Sequence, residues 1–206
     1  MLRETFIHLL YQYTSDTRLI DELWNEIEGA YSNKKRHYHT LTHLEKLLTK
    51  LLLVKNEIND WSTILFTLYY HDVVYKASNS DNEEQSAILA GKRMTQLAIQ
   101  EEQIRACKDQ IRATKSHLHT TVSDTNYFTD ADLSILGQDW DVYTTYFKGV
   151  RKEYSIYPDF LYNSGRKKVL NHFLSMDRIY KTDYFYGEFE EKAKRNLKAE
   201  LELLEK

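Results

Sequence analysis

Trp61-Ser-Thr-Ile-Leu-Phe-Thr-Leu-Tyr-Tyr-His-Asp-Val-Val-Tyr75 is apolar or aromatic on almost every face. Such a run reads as a helix buried on all sides, with Asn59 or Asp60 as its N-cap. It carries the polar pair His71-Asp72 near its end. Burying a carboxylate costs several kcal/mol unless a metal, a cationic partner or hydrogen bonds compensate. Upstream lies His37-Tyr-His39-Thr-Leu-Thr-His43, and downstream Asp130-Ala-Asp132-Leu. Three separate stretches thus offer imidazole or carboxylate ligands, which points to a metal site assembled from distant parts of one chain.

Helical spacing recurs on both sides of this run. One proline and six glycines leave few chain breakers. Thr17–Tyr31 follows a Ser15/Asp16 cap, with Leu19, Ile20, Leu23, Trp24 and Ile27 on one stripe. A helix from Leu41 to about Val54 turns Leu44, Leu47, Leu48, Leu51 and Leu52 inward. Lys76 to Asn82 is a loop by composition. Helices are predicted over Glu83 to about Ile99 and Glu101 to about Lys115, each with acids in its first turn. Ser116 to Asn126, with His117 and His119, reads as irregular. Periodicity resumes over Tyr127–Leu136, Asp139–Tyr154, Asp159–Leu174 and Asp183–Leu204. No repeat, linker or strand-and-turn series interrupts it, so the expected architecture is a single all-α domain, a helical bundle spanning residues 1–206.

The chain has 206 residues, 42% hydrophobic and 29% charged, with a formal net charge of −3. That balance gives no general attraction for nucleic acid or anionic membranes. The only cysteine is Cys107, which excludes an internal disulfide and a thiolate zinc cage and suits a reducing cytoplasm. The first ten residues are too short and mixed for a signal peptide, and no apolar run approaches the roughly 18–20 residues that span a bilayer.

His39 and His43 share a face if their helix reaches back to His39. His71 and Asp72, adjacent on a helix, diverge by about 100° and reach one ion only if it sits against the helix between them. Asp130 and Asp132 stand about 200° apart on a helix. One is therefore a ligand and the other a cap, a supporting partner or a solvated charge, and periodicity does not choose between them.

A histidine, then His-Asp on a helix, then a distant aspartate resembles the HD superfamily of metal-dependent phosphohydrolases. Tyr38-His39-Thr-Leu-Thr-His43 is similar to the Tyr-His-Asn-x-x-His segment of cyclic-nucleotide phosphodiesterases in that superfamily. A bacterial group described as predicted HD phosphohydrolases shows a similar order. It runs through Arg36-His-Tyr-His39 with His43, His71-Asp72-Val-Val-Tyr75, Asn82-Glu83-Glu84-Gln-Ser86-Ala87 and Asp130-Ala-Asp132-Leu-Ser-Ile-Leu-Gly137. Val150-Arg-Lys-Glu-Tyr154 and Gly165-Arg166 extend the likeness over most of the chain.

The resemblance implies a helical bundle of HD type, with His43, His71, Asp72 and Asp132 as metal ligands and His39 as the acid that protonates the leaving oxygen. It implies hydrolysis of a small phosphoester, such as a nucleotide or a phosphorylated metabolite, by water activated on a divalent ion, with Asp72 able to accept a proton. A mixed nitrogen and oxygen set suits Mn, Fe, Co, Ni, Zn or Mg rather than calcium. Arg36 is the best placed cation for phosphate, followed by Lys115, Arg151 and Arg166. Glu83, Glu84, His117, His119 and Asp130 are candidates for supporting contacts or a second metal. Thr40 stands where the phosphodiesterases carry asparagine, which gives no support to cyclic-nucleotide specificity.

Two rivals remain: a metal-assisted sensor of a nucleotide that keeps this site without turnover, and a di-iron oxygenase on the same fold, which needs extra ligands that only His117, His119 and the Glu83/Glu84 pair could supply. No Glu-x-x-His, Gly-x-x-x-x-Gly-Lys, Gly-x-Gly-x-x-Gly or His-Glu-x-x-His occurs. Tyr143, Tyr146, Phe147, Tyr154 and Tyr157 read as packing. Glu188, Glu190, Glu191, Lys192, Lys194 and Arg195 read as a solvated face of the last helix. Its stripe of Leu197, Leu201 and Leu204 leaves self-association open.

Overall fold

Asp60 accepts a hydrogen bond from the main-chain N–H of Thr63 at 3.0 Å and one from its hydroxyl at 2.6 Å, and the buried helix starts at Trp61. Asp16 likewise receives the N–H groups of Arg18 and Leu19 at 3.0 and 3.1 Å, satisfying two otherwise orphaned donors. The structure is a computed structural model that describes residues 1–205. Ten α-helices and no strand occur among the described residues: α1 (Leu2–Leu10), α2 (Thr17–Tyr31), α3 (Leu41–Leu53), α4 (Trp61–Tyr70), α5 (Asn82–Gln96), α6 (Glu101–Ala113), α7 (Ser123–Leu133), α8 (Trp140–Glu153), α9 (Asp159–Leu174) and α10 (Asp183–Leu203). None of them is long and apolar enough to cross a membrane. Packing divides the chain into two compact units, Met1–Thr129 and the residues from Asp130 onward.

In the first unit α4 is the central strut. Every residue from Thr63 to Tyr70 is buried, and α4 packs against α1, α3, α5 and α6. Ile64 and Leu68 are fully out of water, each worth about 1.5–3 kcal/mol of burial free energy. Thr67 donates its hydroxyl to the Gln110 side chain at 2.5 Å and Tyr69 to the Leu2 carbonyl at 2.8 Å, while the buried Tyr70 hydroxyl has no partner among the described residues. α1 is an element that the sequence reading does not contain. It turns Leu2, Phe6, Leu9 and Leu10 inward, and the Phe6 ring meets the edge of Tyr69 at 4.7 Å. Asp124 explains why α7 starts at Ser123, inside the stretch expected to be irregular. Its carboxylate takes the N–H groups of Asn59 and Asp60 at 2.9 and 2.8 Å, tying that helix start to the α4 cap.

In the second unit α9 packs on α10, and the 3-10 turn Ser134–Gly137 packs on α8 and α10. Gly137 is required there, because a Cβ would come within 2.6 Å of the Phe189 Cβ. Asn196 donates to the carbonyls of Leu136 and Gln138, both at 2.8 Å. Glu190 corrects the expectation of a wholly solvated α10 face. It is buried and accepts the N–H groups of Ile179 and Tyr180. Arg166 is buried in an ion pair with Glu200 (2.7 Å), which also receives the Tyr143 hydroxyl.

Candidate metal centre

α4 ends one residue before the His-Asp pair, which corrects the expectation that a helix carries both. His71 is the C-cap, and Asp72 lies in the turn that follows, closed by the Val73 N–H on the Tyr70 carbonyl. The helix terminus orients the first ligand. His71 Nδ1 lies 2.9 Å from the carbonyl oxygen of Leu68, one of the last four carbonyls that a helix leaves without internal partners. A protonated Nδ1 makes that bond, which fixes the ring and turns Nε2 toward the other side chains.

His71 Nε2 points at His43 Nε2, 3.1 Å away. Both rings are buried, His43 on the first turn of α3. Asp72 Oδ2 completes the group, 3.1 Å from His71 Nε2 and 4.0 Å from His43 Nε2. A triangle with those three sides has a centre about 2.0 Å from each corner, and imidazole and carboxylate ligands bind first-row divalent ions at about 2.0–2.2 Å. The angles subtended at that centre are about 100°, 100° and 160°, nearer to three positions of an octahedron than of a tetrahedron. His43 and His71 belong to a side-chain group that could hold a metal ion, and Asp72 adds a carboxylate donor beside them.

Burial by itself raises the Asp72 carboxyl. The imidazoles of His71, His39 and His43 together outweigh it and hold the group well below the usual carboxylate range. Asp72 is therefore ionised, the form a ligand needs. His39 differs from the other two histidines in its setting and exposure. It lies in the non-helical segment before Thr40, the α3 N-cap, so the expected shared helix face with His43 is not formed. Its Nε2 is 3.9 Å from Asp72 Oδ2 and its side chain is 19% exposed, against 5% for His43 and 1% for His71. The ring rests on Tyr75 at 4.3 Å.

Asp130 is buried inside the second unit, accepting the N–H groups of Lys181 and Thr182 and the Thr182 hydroxyl and pairing with the Lys181 ammonium at 2.9 Å. It is a structural carboxylate. Asp132 is half-buried in the last turn of α7. Arg36 is buried and donates to the carbonyls of His39, Asp72 and Val73. Lys115 donates to the Ser80 carbonyl, and Arg151 to the Tyr154 and Tyr157 carbonyls and Asp159. Glu84 is bound through both oxygens by Arg112, and Glu83 is half-buried in the first turn of α5. His117 adopts a left-handed conformation after α6, and His119 is exposed.

The sequence reading missed Tyr31 and Tyr75, whose rings flank Arg36, and the Leu68 carbonyl. A signal existed for Tyr75, three residues after Asp72; none existed for a main-chain oxygen. Comparison with family models, curated proteins and solved structures returned no match.

Proposed function

We propose that this chain is a metal-dependent phosphohydrolase of HD type acting on a small phosphoester. The observation that carries the reading is the convergence of His71 Nε2, His43 Nε2 and Asp72 Oδ2. His71 Nε2, aimed by the Leu68 carbonyl on Nδ1, faces a second imidazole nitrogen and an ionised carboxylate, and their common centre lies at metal-bonding distance. Two imidazoles and one carboxylate leave a divalent ion one net positive charge, and Asp132, supplied by the sequence resemblance, would neutralise it.

A divalent ion held there would lower the pKa of a water and polarise a phosphoryl oxygen. The chain's own groups divide the remaining work. His43 and His71 hold their nitrogens in fixed directions, His71 through the Leu68 carbonyl. Asp72, kept ionised, can take a proton at Oδ2. His39, more exposed than His43 and His71, would give a proton at Nε2 to a leaving oxygen.

The test is elemental analysis of protein purified without chelators, joined to a phosphoester panel under added Mn, Mg, Co and Ni. Stoichiometric metal with metal-dependent phosphate release is the expected result. Metal uptake with tight nucleotide binding and no product replaces the hydrolase by a sensor. No metal uptake under any condition ends the reading.

A further inference from the structure

Arg36 is a cation buried to 8% exposure beside the candidate metal centre. The structure gives that guanidinium no carboxylate partner within the first unit; it spends its donors on main-chain oxygens. Nη1 donates to Asp72 O at 2.8 Å and His39 O at 3.2 Å, and Nη2 to Val73 O at 2.9 Å. Its carbon stands 4.8 Å from the centre of the Tyr31 ring and 5.4 Å from that of Tyr75. Tyr31 also accepts the N–H of Asp72 at 3.2 Å, and Tyr75 carries the His39 ring.

Asp72 is thus gripped by its main chain at both ends, the N–H by Tyr31 and the carbonyl by Arg36. The same guanidinium holds the carbonyl of His39. A turn after a helix and an irregular loop have no ladder of their own to fix their spacing, and here one planar fork supplies it. Resting on the metal-dependent reading above, we infer that Arg36 is a positioning residue. It sets the separation of His39 from Asp72, and through Asp72 the closure of the ligand triangle, rather than binding substrate phosphate. A lysine ammonium is a single point donor and cannot span three carbonyls in one plane.

The experiment is a cobalt(II) titration of the full-length protein followed by its ligand-field absorption, with no substrate present. Arg36→Lys and Arg36→Ala are expected to bind cobalt about 10–100-fold more weakly than wild type, the usual cost of losing a group that orients a ligand. Low-millimolar guanidinium should restore the wild-type spectrum to Arg36→Ala, and ammonium should not. Arg93→Ala breaks an ion pair with Glu26 in the same unit and should keep wild-type cobalt affinity despite any lost stability. If Arg36→Ala does not fold, Tyr31→Phe carries the test. It removes only the hydroxyl on the Asp72 N–H and should weaken cobalt several-fold with helicity intact.

Folded Arg36→Lys with wild-type affinity and spectrum overturns the inference. So does cobalt loss in Arg93→Ala equal to that in Arg36→Ala, or absence of guanidinium rescue. A wild type that takes up no cobalt overturns the metal reading itself. A wild type that binds cobalt beside Arg36 variants that bind it equally well overturns this inference alone.

Discussion

His71→Ala removes the ligand that stands at about 100° to both others, and the loss is readable as heat stability without any substrate. A metal that binds only the folded chain at 100 times its Kd stabilises it by about 2.7 kcal/mol. For a chain of this size, 1 kcal/mol moves Tm by about 2–4 °C, so saturating metal should raise the wild-type Tm by about 5–10 °C. If losing His71 raises Kd at least 100-fold, the same metal concentration only equals Kd. The gain falls to about 0.4 kcal/mol, or a shift near 1–2 °C. Truncating a buried ring also destabilises the metal-free protein, by a cavity cost of a few kcal/mol. Each protein is therefore compared with itself, by scanning fluorimetry in chelator and in Mn, Co or Ni, with far-UV circular dichroism to establish folding. Asp72→Ala should behave as His71→Ala does. Wild-type shifts surviving in both variants would refute the ligand triangle, whatever activity they retain.

His39→Ala should keep the metal-dependent shift and lose turnover, most for esters with poor leaving groups; metal loss with equal rate loss on all esters would make His39 a ligand instead. Asp130→Ala should cost about 3–5 kcal/mol, because it strands the buried Lys181 ammonium. Asp132→Ala should cost little stability in chelator yet lower metal affinity, and calorimetry of the two variants with and without Mn checks the contrast. Burial pushes the Cys107 thiol up to about 12 from an ordinary 9.0, so its thiolate fraction at pH 8 falls to about 10⁻⁴. Alkylation at that pH should be about a thousandfold slower than in the unfolded chain and rise with pH to beyond 11; rapid labelling of the native protein would show that the α4–α6 core opens freely.

The helices were legible wherever a cap coincided with an apolar stripe. Asp16 and Asp60 do in the structure what their residue types promise, and α2 begins and ends where spacing puts it. α1 escaped because its N-cap is Met1, which offers no capping oxygen, so nothing punctuates its start. The α7 start escaped because its anchor, Asp124 on the Asn59 and Asp60 N–H groups, is a contact 64–65 residues apart in sequence. Charge is a poor guide to burial at Glu190 and at Arg36. A charged side chain reads as solvated or as facing a ligand, yet both are buried against main-chain groups, and a sequence carries no mark of which main-chain groups lack partners. Asp130 and Asp132 separate for the same reason: the N–H groups of Lys181 and Thr182 claim one of them, fifty residues downstream.

The termination of α4 ties these points together. A helix apolar on every face can end inside a core only if its last carbonyls find donors. The Thr67 carbonyl takes the His71 N–H, the Leu68 carbonyl takes His71 Nδ1, and the Tyr70 carbonyl takes the Val73 N–H. The group that solves the helix-end problem is thereby the group whose other nitrogen is aimed at His43. The negative end of the α4 dipole also lies where a cation would sit, which favours it by a few tenths to about 2 kcal/mol. Replacing His71 with Asn, which can still donate to the Leu68 carbonyl, should therefore recover part of the stability that alanine loses in chelator while recovering none of the metal shift. Recovery of neither would mean that the Leu68 bond contributes nothing to the helix end.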